Sequence, residues 1–121
     1  MQGISDREYA LVRYANFLGA VLEPACTLGT TPLDVGIWQT EQRQAWEAAR
    51  SARYKRVDLG LRWGPAWSTA WFRLRGGLTD EQRELLAAGD ATYAAVRFSS
   101  GTEATLWQDG TPTRGFDANR D

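Results

Sequence analysis

The chain contains no histidine, and that absence removes Ser-His-Asp and Cys-His catalysis together with the commonest ligand of catalytic zinc. Cys26 is the only cysteine, so no internal disulfide can form and a reducing compartment is the expected setting. An excess of positive charge is lacking as well: 14 basic residues face 15 acidic ones. Nucleic acids and anionic membranes call for clustered Lys and Arg, so neither is an expected partner. No apolar run approaches the length of a membrane span, and "MQGISDREYALVRYANFLGAVLEP" lacks the basic start and unbroken apolar stretch of a secretory signal. These exclusions together point to a cytoplasmic location.

What is present is apolar and aromatic. Hydrophobic residues make up 43% of the 121 positions and six are tryptophan, enough for one domain with a real core. Lys55 is the only lysine among the 14 basic residues, and the many alanines beside it fit a GC-rich coding genome better than arginine-specific chemistry.

Local signals place most elements. Ser5 and Glu8 form a capping box, and Leu11, Tyr14, Leu18 and Val21 or Leu22 recur at helical spacing until Pro24 closes the run. Cys26 reads as a small buried hydrophobe. "LDVGIW" alternates like a half-buried strand, Thr40 to Arg53 is helix-prone, and "YKRVDLGL" is a weaker strand candidate. In "TAWFRLRG", Ala70, Phe72 and Leu74 share one face and Trp71, Arg73 and Arg75 the other. "LTDEQRELLAAGD" carries a second capping box at Thr79 and Gln82 and a helix-ending Gly89. Two strands follow, Ala91–Phe98 and Thr102–Gln108, with Asp109-Gly110 as a tight hairpin turn. The predicted fold is mainly β: a jelly-roll or galactose-binding-like β-sandwich with an N-terminal helix and one or two short inserted helices. The helical segment is placed at residues 1–26 and the sandwich, read as incomplete, at 27–121.

"RWGPAWSTAWFRLRG" spaces Trp63, Trp67 and Trp71 four residues apart, which would align them on a helix. Pro65 forbids that helix, so the stretch reads as a loop entering a strand, and each tryptophan stands on its own. Trp71 is expected on the sheet surface under another element. For Trp63 and Trp67 two readings stay open: plugs that seal the loop against the core, or exposed faces on which a sugar ring stacks. Asp109 belongs to turn chemistry, and Asp117 with Asn119 reads as a local Asx turn or cap, not as a metal site.

The same stretch, followed by "ATLWQDGTPTRGFDANRD", resembles the N-terminal β-sandwich region of cytosolic-type α-mannosidases of glycoside hydrolase family 38. Trp63, Gly64, Pro65, Trp67, Thr69, Trp71, Phe72 and Arg73 match the first block of that region. Leu106, Trp107, Asp109, Gly110, Pro112, Gly115, Asp117, Asn119 and Arg120 match the second, and "TPLDVGIWQT" is similar to the strand upstream. Residues 78–93 depart from the pattern, since a shorter connection is usual there. The resemblance implies a non-catalytic part of an enzyme that hydrolyses terminal α-linked mannose. Its catalytic domain, with zinc and the acid–nucleophile pair, would follow as the partner of this segment. No catalytic and no metal-binding residue carries over to this chain. Trp63, Trp67, Arg114, Asn119 and Arg120 are the candidates for sugar or interdomain contact, with mannosides and a second copy of the chain as further partners. The alternatives are a free-standing carbohydrate-binding module and a protein-interaction domain working through an exposed apolar face.

Overall fold

The computed structural model describes residues 5–117, which fall into two units. One holds the chain through Thr31 together with Leu78–Thr92; the other holds Pro32–Gly77 and the chain from Tyr93 onward.

The first unit is helical. α1 (Asp6–Phe17) starts at the expected box: the Glu8 backbone N–H donates to Ser5 Oγ at 3.3 Å and the Ser5 N–H to Glu8 Oε2 at 2.8 Å. The Ser5 backbone N–H and the Ser5 hydroxyl both donate to Glu8 Oε2, each at 2.8 Å, which favours the ionised carboxylate and holds the Glu8 pKa below the ordinary glutamate value. Pro24 does not close the run as the sequence suggested. A π-helical turn, Leu18–Leu22, leads instead into α2 (Glu23–Cys26), with Pro24 in its first turn. Proline has no N–H to lose in a first turn, and the wider π turn before it makes room for the ring. Cys26, expected to be buried, is exposed at the end of α2. α4 (Asp80–Ala88) carries the second capping box, with Gln82 N–H donating to Thr79 Oγ1 at 3.1 Å. It stops at Gly89, whose φ of 80° is open to glycine at no steric cost. The Gln82 amide also donates to Thr31 Oγ1 at 3.0 Å, tying α4 to the loop after α2.

The second unit is β. β1 (Asp34–Thr40) pairs antiparallel with β2 (Lys55–Val57) on one side and β3 (Thr69–Arg75) on the other, giving the order β2-β1-β3. Residues directly opposite one another share a face, so the register sorts the sheet. One face carries Val35, Ile37, Val57, Phe72 and Leu74, and the other carries Gly36, Trp38, Trp71 and Arg73. Alternation in β3 therefore has the phase read from the sequence. Both faces are covered, which explains why almost every β3 residue is half-buried. β4 (Ala104–Gln108) and β5 (Thr111–Phe116) form a second, two-stranded sheet. Asp109 (φ 50°) and Gly110 (φ 80°) join them, the positive-φ pair that a two-residue hairpin needs.

Two expected elements are corrected. Helix formation in Thr40–Arg53 is confined to α3 (Trp46–Ser51), whose Ala49 is fully buried. Ala91–Phe98 does not form a strand, and it leaves Tyr93 and Val96 exposed. Thr102–Gln108 shortens to β4.

Gly36 shows why a strand accepts glycine here. A Cβ at that position would lie 3.0 Å from Tyr54 Cβ, so glycine lets the strand pass beneath the Tyr54 side chain without displacing it by a few tenths of an ångström. Tyr54 donates its hydroxyl to Ala49 O at 3.0 Å, and the Arg73 guanidinium sits over its ring at 4.2 Å. Burial pushes the Tyr54 pKa up, against a weaker downward pull from Arg73.

Candidate functional site

Two aromatic clusters flank the three-stranded sheet. Against one face, Trp46 from α3 stacks on Trp107 from β4 with 5.8 Å between centroids and 5° between planes. Trp71 from β3 tilts against both, at 6.2 Å and 5.8 Å. This group bridges the two sheets, and offset indole pairs of this kind add attraction beyond the area they bury. Trp71 is thus covered by other elements, as expected from its place in the strand. Its Nε1–H, however, is buried without a hydrogen-bond partner among the described residues.

Against the opposite face, Phe72 meets Trp63 edge-on at 5.7 Å and Phe98 at 5.3 Å. Trp63 donates its indole N–H to Ser100 O at 3.0 Å. Trp63 is therefore a plug, fixed by packing and by one polar bond. A shallow apolar groove runs beside it, lined chiefly by Val57, Leu59, Leu61, Trp63, Phe72 and Phe98.

Trp67 behaves differently. It takes no part in either cluster and is 98% exposed, which removes the plug reading for this residue. Its backbone has φ 69°, a region that bulky side chains rarely enter. The loop that carries it is nonetheless braced. Ser68 N–H and Oγ both reach Pro65 O, at 3.1 and 2.6 Å, and the Gln39 amide donates to Gly64 O at 3.0 Å.

Arg114 lies exposed on β5, opposite Leu106. Asn119 and Arg120 lie outside the described residues. The structure thus brings Trp63 into a packed cluster, leaves Trp67 and Arg114 in solvent, and does not unite the candidates in one cleft. Asp109 is confirmed as a turn residue. Among the described residues no three of Cys, Asp and Glu converge on a common point, and histidine is absent from the chain. The residues at hand therefore do not fit a zinc centre.

Residues 31–121 match the family model described as alpha-mannosidase, jelly roll domain. The chain belongs to that family. No curated protein and no solved structure matches it. The alpha-mannosidase jelly-roll match begins just before β1 and takes in both sheets, both aromatic clusters and α4. It gives the chain a mainly β, jelly-roll identity and leaves α1 outside the matched span. Among the described residues no helix is long and apolar enough to cross a membrane.

Sequence reasoning missed one pair in this jelly roll: Trp46 and Trp107 stack although each was read only within its own element. No sequence signal marked that pairing, because the turn alone already accounts for Gly110. A Cβ there would come 3.0 Å from Trp46 Nε1, so the hairpin glycine serves both the turn and the indole stack. Gly110→Ala is expected to cost about 1–2 kcal/mol from its left-handed φ alone. A urea midpoint unchanged by the substitution would refute this account of the turn.

Proposed function

We propose that this jelly roll is the non-catalytic part of an alpha-mannosidase that removes terminal α-linked mannose in the cytoplasm. In this reading a catalytic domain of the same enzyme supplies the divalent metal, usually zinc, and the acid–nucleophile pair. The jelly roll packs against that domain and helps to orient it. The observation that carries the proposal is the family match over residues 31–121.

Arg114, Asn119 and Arg120 carry charge and hydrogen-bonding capacity suited to such a contact. Leu59, Tyr93 and Val96, exposed at 86%, 78% and 64%, are apolar side chains that a partner could cover. The same exposed surface suits contact with a second copy of the chain.

The test is direct. The purified chain, supplied with zinc, is expected to release no nitrophenol from nitrophenyl α-mannoside above the buffer rate. An isolated zinc-loaded α-mannosidase catalytic domain of this family should bind it in a discrete complex on size-exclusion chromatography. Turnover by the chain alone would overturn the non-catalytic role, and failure of the two to associate would overturn the packing role.

A further inference from the structure

Trp67 combines three properties that packing does not explain. Its indole is 98% exposed, its backbone sits at φ 69°, and three hydrogen bonds hold the loop around it. A bulky residue in the left-handed region persists only where its surroundings over-determine it, and such outliers gather at ligand sites. Here the bracing presents a large ring to solvent on both faces while no described residue packs on it.

The surroundings narrow the ligand. A protein hot spot is ringed by apolar neighbours that exclude water, whereas the residues next to Trp67 in the chain, Ala66 and Ser68, are small. A polyanion would need several cations, yet the loop from 62 to 68 carries only Arg62 and the chain has a net charge of -1. What fits is a neutral ring with one apolar C–H face and a rim of hydroxyls.

From this we infer that Trp67 is the stacking floor of a binding subsite for a neutral hexopyranoside. Arg62, exposed on the same loop, donates to ring hydroxyls. Gln39 accepts from them through Oε1 while its Nε2 stays on Gly64 O at 3.0 Å. The choice of mannose as the first sugar rests on the function proposed above, but the stacking floor does not.

The six indole N–H signals of the ¹⁵N-labelled chain provide the readout. Trp67→Gly identifies the Trp67 signal by its loss. Titration with methyl α-mannoside should then shift that signal saturably, with a millimolar Kd, and leave the other five in place. Arg62→Ala and Gln39→Ala should each weaken the binding several-fold. No shift, or a uniform shift of all six signals, would overturn the inference.

Trp67→Gly also separates binding from folding. Glycine accepts φ 69° freely but loses more backbone freedom on folding, so the two effects nearly cancel and this variant should leave Tm within about 4 °C while abolishing the sugar response. A much larger fall in Tm would show Trp67 to be a structural residue and would overturn the site. A response to methyl β-galactoside without one to the mannoside would keep the stacking floor and count against the mannosidase reading.

Discussion

Trp71→Ala is expected to remove about 3–5 kcal/mol of stability, a large share of what a domain of this size holds. The indole is the meeting point of the bridging cluster, touching Trp46 at 6.2 Å and Trp107 at 5.8 Å. Truncation would leave a void between the two sheets and leave the Trp46–Trp107 stack without its third ring. Trp71→Phe should behave quite differently. The buried Nε1–H has no partner among the described residues, and an unsatisfied buried donor costs about 1–3 kcal/mol. Phenylalanine removes that donor and keeps an aromatic ring, so the two changes offset and the net loss should stay within about 1 kcal/mol. Trp107→Phe is the control, because among the described residues the buried, unpartnered donor belongs to Trp71 and no relief offsets the area lost at Trp107. Urea unfolding with a common m-value decides the matter. If Trp71→Phe proved as harmful as Trp107→Phe, the cost assigned to the orphaned N–H would be wrong.

The parts of the fold that were legible in the sequence are those fixed by chemistry within a few residues. Ser5 with Glu8, and Thr79 with Gln82, satisfy each other's backbone groups locally, and both boxes form. Gly89 and the Asp109-Gly110 turn were readable because positive φ selects the residue type. Pro24 misled because a proline stops a helix only where a backbone bond is lost, and a first turn loses none. Ala91–Phe98 misled for another reason. Its apolar residues suit a strand, but a strand exists only with a partner, and pairing is decided far along the chain. The aromatic site divides along the same line. Trp71 could be placed because strand alternation fixes its face, whereas burial of Trp63 depends on Phe72 and Ser100 and the exposure of Trp67 on the absence of any cover. The two blocks that carry the family resemblance span these positions, so the family was legible where the contacts were not.

Ile37→Ala should cost about 3 kcal/mol, the usual range for deleting the branched side chain of a buried isoleucine. Ile37 is only 7% exposed, and apart from Ala49 it is the one buried apolar residue among those described. It stands on the central strand, opposite Phe72 on one side and Lys55 on the other, on the face covered by the Trp63–Phe72–Phe98 cluster. Its removal acts on packing alone, since no hydrogen bond of its side chain is lost. Ile37→Val deletes a single methylene and should cost about 1 kcal/mol. The ratio between the two variants is the informative quantity. A core that closes around the smaller side chain would give both a similar small cost, whereas a rigid sheet framed by aromatic rings cannot collapse and keeps them well apart. Ile37 also lies on the same face as Gln39, which braces the Trp67 loop. Because β1 keeps its full register with β3 in Ile37→Val, that variant should leave the sugar response of Trp67 intact. Loss of the response there, with stability nearly unchanged, would mean that the loop is positioned by core packing and not by the Gln39 and Ser68 hydrogen bonds.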